Sequence, residues 1–327
     1  MKAFLPFLAA AVLLFSLTAC GEPAANSDTN PDSNTSVVPQ DGLASITFID
    51  DLGRTVEIDS PKRVAALTGS FADVWCLAGG KDNLVAAVGD TWTSFDLSLD
   101  KSVVDLGSVA APSMELLLDV RPDLVLASSN ISADLELQST FEQAGLTVAY
   151  FGIQHFSDYL NMLDICTQIT GLRENYDLYG IQIQTKVEQA IARQTGESPT
   201  VLCLRATGSN CTVKGSENFL LGEMLADLGC VNIADGNNAL LENLSLEAIM
   251  TADPDYIFAV LHGVDQAPAM ATLEQTLLSN PAWAGLRAVQ EGQFFTLEYQ
   301  LYTLKPNARW GEAYEMLADI LYPDDPA

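Results

Sequence analysis

Histidine is rare in this chain, and both copies stand where a side chain could take part in chemistry. His262 directly follows the apolar run 258–261, where a buried strand is predicted to end. An imidazole at such an end can bind a metal ion, including one that a ligand carries. Zinc and manganese sites usually need several imidazoles with carboxylates, so two histidines argue against those metals. His155 precedes a predicted helix, where it could line a cleft, sit in a hinge or lie at the surface.

Several aromatic, cationic and hydroxyl side chains are expected on the loops that would surround a ligand. Flat aromatic faces suit a planar ring, and a guanidinium suits a carboxylate or other anionic oxygens. Tyr302 and Arg309 could equally pack against and cap the last helix, and Ser70 could be a simple helix cap. With His262, the candidate ligand-binding residues are Ser70, Phe71, Trp92, Arg205, Tyr299, Tyr302 and Arg309.

A short motif occurs twice at a constant offset of 132 residues and gives each copy one glutamate. Ser113 and Ser245 each precede a glutamate by two positions, and a Pro-Asp pair and an apolar run follow. The serine is predicted to cap a helix, and Glu115 or Glu247 lies in the first turn, where the helix dipole favours an anion. Four matched positions at one offset predict a chain of two halves built on one plan.

The elements that position these residues alternate between strands and helices from residue 46 onward. The predictions for the first lobe are a hairpin at 46–56, strands at 63–67, 84–88, 124–127 and 147–151, a loop at 89–92 and a helix near 133–144. Such alternation predicts an α/β fold with mostly parallel sheets that are covered on both faces. Because ligands of such sheets bind at the carboxyl ends of the strands, a ligand cleft is expected between the two lobes. The predicted boundaries are an N-terminal lobe at 45–155, a helical connector at 156–197 and a C-terminal lobe at 198–327.

The first 44 residues are predicted to target the chain to the membrane and to tether it there, and not to form part of its fold. Lys2 precedes an apolar segment, and residues 17–21 resemble the lipobox of bacterial lipoproteins, in which Cys20 would carry the lipid. Residues 1–19 are then a signal peptide, and residues 20–44 form a polar, disordered tether. The alternative is an ordinary secretory signal in which Cys20 stands by chance.

Charge and cysteine content narrow the classes of partner. The formal net charge of −28 disfavours nucleic acid and anionic lipid surfaces. Five cysteines besides Cys20 fit neither a zinc ribbon nor a small disulfide scaffold. Free buried thiols are expected for most of them, although one bridge among Cys203, Cys211 and Cys230 is conceivable.

Four motifs together resemble the substrate-binding lipoproteins of ABC importers for iron–siderophore complexes, haem and cobalamin. The resemblance covers residues 45–323 and lies in the run 63–67, the two Glu-x6-Pro-Asp motifs and the segment 278–283. It implies two Rossmann-like lobes joined by one long, rigid connecting helix. It also implies that Glu115 and Glu247 dock onto arginines of an ABC permease dimer, which works with a cytoplasmic ATPase. A lipid-anchored monomer on the outer face of the cell membrane, without a cofactor of its own, would deliver an iron complex to that permease.

The ligand stays open between haem, a ferric siderophore and a corrinoid. The amino-acid sequence around His262 and Tyr299 resembles that of Gram-positive haem receptors, which use the matching histidine as an axial ligand to iron. Those receptors take a second ligand, methionine, from the first lobe, where this chain has the run 109–111 without methionine. Met114 could substitute, although a methionine at a helix start also suits core packing.

Two other classes of function compete with a transport receptor. A metal chelatase on the same lobe plan would need an acid–base histidine or a carboxylate cluster in the cleft, and the sequence offers no such group. A surface lipoprotein that only adheres or scavenges would have no use for paired docking carboxylates. The sequence therefore favours a binding protein over an enzyme.

Overall fold

The computed structural model describes residues 45–95 and 97–323. The predicted signal peptide, the predicted lipid anchor at Cys20 and the predicted tether therefore lie outside the described residues. We keep the predicted boundaries as names, so that the N-terminal lobe is 45–155, the connector is 156–197 and the C-terminal lobe begins at 198.

Strands and helices alternate through the N-terminal lobe as predicted. The hairpin expected near residues 46–56 and the strands expected near 64, 84, 124 and 148 are all present. The elements are β1 (Ile46–Ile49), β2 (Thr55–Ile58), β3 (Val64–Ala66), α1 (Gly69–Leu77), β4 (Leu84–Ala87), α2 (Asp90–Ser94), β5 (Val104–Asp105), β6 (Gly107–Ser108), β7 (Ala111–Pro112), α3 (Met114–Val120), β8 (Leu124–Ser128), α4 (Ser132–Glu136), α5 (Gln138–Gln143) and β9 (Val148–Phe151).

The connector and the C-terminal lobe continue the alternation. The elements are α6 (Phe156–Thr170), α7 (Glu174–Tyr176), α8 (Gln182–Ile191), β10 (Thr200–Ala206), β11 (Cys211–Lys214), α9 (Leu220–Asp227), β12 (Val231–Asn232), α10 (Asn238–Glu242), α11 (Leu246–Ala252), β13 (Tyr256–Leu261), α12 (Ala267–Leu273), α13 (Arg287–Gln290), β14 (Phe294–Leu297), α14 (Tyr299–Tyr302) and α15 (Trp310–Leu321). Short 3₁₀ turns cover Lys81–Asn83, Trp283–Gly285 and Asn307–Arg309, and π-helical turns cover Asp177–Ile181 and Glu274–Leu278.

Each lobe is built on one mostly parallel sheet, which confirms the predicted fold class. The N-terminal sheet has the order β5-β4-β3-β8-β9, and its strands pair in parallel. The C-terminal sheet has the order β11-β10-β13-β14, with β12 also paired to β10, and only β11 runs antiparallel. Strands β8 and β13 are apolar and almost entirely buried, as strands covered on both faces must be.

One hydrophobic cluster passes through both lobes and the connector. It includes Trp75 from α1, Tyr159 from α6, Met224 from α9 and Trp310 from α15, all of which are buried. Because this packing joins the lobes directly, moving one lobe against the other would expose apolar surface to water. The lobes are therefore held together by their own core as well as by the chain that links them.

The connector differs from the single helix that was expected. Helix α6 ends at Gly171, which has a φ of 77°. Helical structure resumes at Glu174 and continues to Ile191 through a π-helical turn. Glycine adopts this left-handed conformation without the steric penalty of a side chain, so the helix stops there. The second helical segment packs against α15.

Two further elements depart from the sequence-based expectations. Residues 89–92 were predicted as a loop, but Asp90–Ser94 form helix α2, whose first turn carries Asp90 as a favourable anion. The helix expected near residues 133–144 is divided into α4 and α5 at Leu137. No helix among residues 45–95 and 97–323 is long and apolar enough to cross a membrane.

The five described cysteines are all free thiols, which agrees with the expectation for most of them. Cys166, Cys203 and Cys230 are buried, and Cys76 and Cys211 are partly buried. Burial raises the pKa of Cys211 to about 11 and the pKa of Cys76 and Cys230 to about 12.

Replacing Gly171 should test the break in the connector. Gly171→Ala places a β-carbon on a left-handed residue and should lower the free energy of unfolding by about 1 kcal/mol. Gly171→Asn is the matched control, because asparagine tolerates this conformation and should lower the free energy of unfolding less than alanine does. Chemical denaturation measures both values. An alanine variant as stable as the wild type would show that the helix can continue through this position.

Candidate functional site

The two repeated motifs form the same local structure in both lobes. Ser113 caps α3 by accepting a hydrogen bond from the backbone N–H of Leu116 at 3.3 Å, and Ser245 caps α11 through Ala248 at 3.3 Å. Both helices end on a left-handed residue, Arg121 with a φ of 46° and Asp253 with a φ of 40°.

The glutamates of the motifs lie where the helix dipole favours them. Glu115 is in the first turn of α3, Glu247 is in the first turn of α11, and both side chains are exposed. In each lobe this helix leads into a parallel strand, so its amino end lies toward the carboxyl edge of the sheet. Each lobe thus offers one carboxylate near the edge where its ligand loops begin.

The aspartates of the motifs have a structural role that sequence reasoning did not assign. Asp123 Oδ2 accepts hydrogen bonds from the backbone N–H groups of Lys62 at 2.8 Å and Arg63 at 3.0 Å. Asp255 Oδ2 accepts from Thr200 N at 2.7 Å and Thr200 Oγ1 at 2.6 Å. In each lobe the aspartate therefore ties the strand after the motif to the start of the neighbouring strand.

An inner cavity of about 240 Å³ lies between the lobes, at the carboxyl ends of β3, β8 and β9. Ser70 and Phe71, both predicted as ligand-binding residues, line it. Phe71 is nevertheless only 3% exposed and packs edge-on against Phe151, so most of its ring belongs to the core. The other lining residues are Thr68, Ser128, Asn130, Ile131, Ile153, Gln154, Asn218, Leu220, Glu223 and Lys305.

The cavity contains charged residues that sequence reasoning missed. Glu223 lies in the first turn of α9, and Lys305 stands in the loop before α15. Burial raises the pKa of Glu223 and lowers the pKa of Lys305, because both charged forms are partly removed from water. His155 Nδ1, at the end of the N-terminal lobe, lies 3.1 Å from Glu223 Oε2 of the C-terminal lobe. Glu223 and Lys305 belong to no sequence motif, so only the tertiary fold reveals them.

Three of the predicted residues meet at the carboxyl ends of β10, β13 and β14. Arg205 Nη2 lies 3.1 Å from His262 Nδ1, and the rings of His262 and Tyr299 pack edge to face with centroids 4.7 Å apart. Burial, with a further contribution from the neighbouring Arg205 charge, lowers the pKa of His262. Burial also raises the pKa of the Tyr299 phenol. Arg205 Nε is buried and has no hydrogen-bond partner among the described residues.

The N-terminal lobe contacts this cluster through helix α2. Gln300, next to Tyr299, donates a hydrogen bond from Nε2 to Ser94 O at 3.2 Å. Asp90 Oδ1 accepts from Gly69 N at 2.9 Å, and its charge further raises the pKa of Tyr299. Trp92 on the same helix is 41% exposed. The cluster therefore lies at the boundary between the lobes, where a cleft was predicted.

Two predicted ligand-binding residues are placed elsewhere. Tyr302 is fully buried and donates its hydroxyl hydrogen to Ala313 O at 3.0 Å, so it is a core residue. Arg309 binds Glu312 at 2.7 Å and Glu298 at 3.1 Å, and these carboxylates occupy its guanidinium. For both residues these contacts agree with the alternative role in packing and bonding the last helix, and neither residue lies with the cluster of Arg205, His262 and Tyr299.

The two weaker candidates also have local explanations. Met114 is the first residue of α3 and packs against the hydrophobic cluster of the N-terminal sheet. His155 is the cap residue of α6, and its backbone N–H donates to Asp158 Oδ2 at 2.8 Å. Among residues 45–95 and 97–323, no three His, Cys, Asp or Glu side chains are grouped closely enough to hold a metal ion.

Comparison with known proteins relates this fold to transport receptors. The iron-uptake system-binding protein of Bacillus subtilis is 25% identical over 93% of this chain and 92% of its own length. The periplasmic haem-binding protein RhuT of Roseiflexus sp. RS-1 has a TM-score of 0.63 at 20% identity, over 80% of this chain and 98% of that one. The siderophore-binding protein BauB, solved with acinetobactin and ferric iron, has a TM-score of 0.67 at 18% identity, over 85% of this chain and 98% of that one.

The family assignment rests on a match that spans most of both lobes. Residues 64–301 match the sequence profile of the periplasmic binding protein family, a span that begins at β3 and ends within α14. Members of this family are the substrate-binding components of transport and not enzymes, which excludes the chelatase alternative. The chain belongs to the periplasmic binding protein family, in the class of ABC substrate-binding proteins for iron complexes and vitamin B12.

Proposed function

We propose that this protein captures a ferric chelate with anionic oxygens, a ferric siderophore, and delivers it to an ABC permease. The similarity to an iron-uptake binding protein and to a siderophore-binding fold supports the choice of an iron complex. The choice between chelate and haem comes from the Arg205–His262 contact, which carries the proposal.

That contact decides which nitrogen of His262 carries a proton. A guanidinium only donates hydrogen bonds, so His262 Nδ1, 3.1 Å from Arg205 Nη2, acts as the acceptor. The lowered pKa of His262 favours the neutral ring, so its single proton resides on Nε2. The ring then offers an N–H donor at Nε2, which suits an anionic oxygen.

Axial ligation of iron would need the opposite tautomer. A histidine that binds a metal through Nε2 keeps its proton on Nδ1 and normally donates it to a carboxylate or a carbonyl. Here Nδ1 faces the guanidinium of Arg205, and two donors would oppose each other. Met114, the candidate for a second axial ligand, is packed against the core of its own lobe. The axial role of His262 in haem binding is therefore the less favoured alternative.

Tyr299 adds a hydrogen-bond donor to a surface suited to an anionic chelate. Its phenol has a raised pKa and is protonated at neutral pH. Trp92 on helix α2 of the opposite lobe is exposed, and the stacking of a catechol ring on it is proposed from its residue type alone. The Asp90 carboxylate beside this surface would repel an anion, and Arg205 offsets that repulsion.

Removing the Arg205 guanidinium tests the proposed ligand class. Arg205→Ala should weaken binding of a ferric tris-catecholate by roughly tenfold to a hundredfold, because a charge-assisted hydrogen bond is lost. Arg205→Lys should retain part of the affinity, since it keeps the charge but not the planar fork. Quenching of tryptophan fluorescence during titration of the purified protein measures both.

A parallel titration with hemin separates the chelate from haem. We expect no saturable shift of the Soret band with the wild type. A saturable shift that disappears in His262→Ala would overturn the choice of chelate and restore the axial role of this histidine. Titration with a cobalt corrinoid, followed by its visible absorption, tests the remaining alternative in the same way.

Glu115 and Glu247 are proposed to dock the loaded protein onto a permease dimer. This docking role is supported by the matching positions of the two glutamates, in the first turns of α3 and α11, and by the exposure of both side chains. Two negative charges on matching helix starts suit a partner with approximate two-fold symmetry and two positive sites. Delivery also requires an extracytoplasmic location, for which the lipid anchor at Cys20 remains a prediction.

The docking role can be separated from ligand binding. The double variant Glu115→Ala and Glu247→Ala should abolish uptake of the iron complex while leaving its affinity for the purified protein unchanged. Asp119→Ala with Glu242→Ala is the matched control, because it removes two exposed carboxylates from α3 and α10. Uptake of labelled iron by cells that express each variant is the measurement. Normal uptake by the first variant would contradict the docking assignment.

A further inference from the structure

A buried amide from the C-terminal lobe holds the first turn of α1, next to the inner cavity. Asn307 is fully buried, and its Nδ2 donates to Ser70 O at 2.9 Å and to Asp73 Oδ2 at 2.8 Å. Ser70 lines the cavity, and Lys305, two residues before Asn307, lines it from the other lobe. The amide therefore links the two sides of the cavity.

The carbonyl oxygen of the same amide is buried and has no partner among the described residues. The amide cannot be rotated to exchange its two ends, because Ser70 O can only accept and needs the N–H that Nδ2 provides. A buried acceptor without a donor is costly, so Asn307 Oδ1 calls for a hydrogen from a neighbouring group. The carboxyl of Asp73 already accepts from Nδ2 at 2.8 Å, which makes its second oxygen the candidate to supply that hydrogen.

We infer that Asp73 and Asn307 form an acid–amide clasp, in which a proton on Asp73 Oδ1 bonds Asn307 Oδ1 while Asn307 Nδ2 bonds Asp73 Oδ2. The second hydrogen of Nδ2 remains on Ser70 O, so every polar atom of the amide is satisfied. The clasp positions the start of α1, with Ser70, against the segment that carries Lys305. Its role in ligand binding rests on the proposed function, whereas its existence does not.

The surroundings of Asp73 favour the protonated form. Burial raises the pKa of Asp73 to about 6, although the hydrogen bond from Asn307 acts in the opposite direction and lowers it. The titratable groups that face it are the Tyr159 phenol from α6 and the Cys76 thiol from its own helix. Burial raises the pKa of both, and the charge of Asp73 raises it further. Both stay neutral at neutral pH and so bring no charge to the clasp. The folded protein thus holds a proton on Asp73 up to about pH 6.

The raised pKa of Asp73 determines whether the stability that the clasp provides rises or falls with pH. Between the ordinary value of 3.8 and about 6, the folded state binds more protons at Asp73 than the unfolded state. The contribution of the clasp to stability is therefore complete at the acidic end of this window. It falls as the pH rises through the window and stays low above it.

Asp73→Asn tests the clasp, because an amide at position 73 can donate and accept the same two hydrogen bonds at every pH. We expect its melting temperature to match the wild type near pH 4 and to exceed it near pH 8, where the wild-type proton is lost. Asp73→Leu, which can form neither bond, should melt below Asp73→Asn at both pH values. An Asp73→Asn variant that melts below the wild type near pH 8 would overturn the clasp.

Two further measurements separate the clasp from its role at the cavity. The ¹³C carboxyl resonance of Asp73 should titrate with a midpoint near 6, and a midpoint at or below the ordinary 3.8 would overturn the inference without reference to any ligand. Affinity for the ferric tris-catecholate should be several-fold weaker in Asp73→Leu than in Asp73→Asn. Equal affinities would refute the positioning role alone.

Discussion

Parallel pairing is the constraint on which the rest of this molecule depends. It brings the carboxyl ends of neighbouring strands to one edge of each sheet, so loops that are distant in sequence share one region. Arg205 lies near the end of β10, His262 and Tyr299 follow β13 and β14, and the three meet only for this reason. The aspartates Asp123 and Asp255 secure the opposite edge, where each binds the start of the neighbouring strand. The site is thus produced by sheet geometry, and its chemistry by the residues that happen to follow the strands.

Sequence reasoning succeeded where the signal was local or periodic. Apolar runs predicted β8 and β13, and the serine of each repeat predicted where α3 and α11 start. It failed where tertiary packing decides the role of a side chain. Tyr302 and Arg309 have residue types that suit a ligand, but one is enclosed by the core and the other is held by two carboxylates. Glu223, Lys305 and Asn307 carry no motif, and their proximity to the cavity arises from contacts between the lobes.

Hydrogen-bond direction distinguishes ligand classes that residue identity leaves open. A histidine at a strand end is compatible with haem, a corrinoid or a chelate, and the sequence of this chain could not choose among them. The donor that faces Nδ1 restricts what Nε2 can do, because one neutral ring carries one proton. The same reasoning applies to Asn307, whose carbonyl oxygen indicates a proton on its neighbour. In both places the informative observation is a polar atom that needs a particular partner.

The thiols described above bear on how an exported chain would mature. Disulfide exchange and oxidation proceed through the thiolate, and burial raises the pKa of Cys76 and Cys230 to about 12. Cys166 and Cys203 lie wholly inside the core, where an oxidant has no access. Because the described cysteines are free and their reactive forms are disfavoured, the finished core resists thiol exchange in an oxidising compartment.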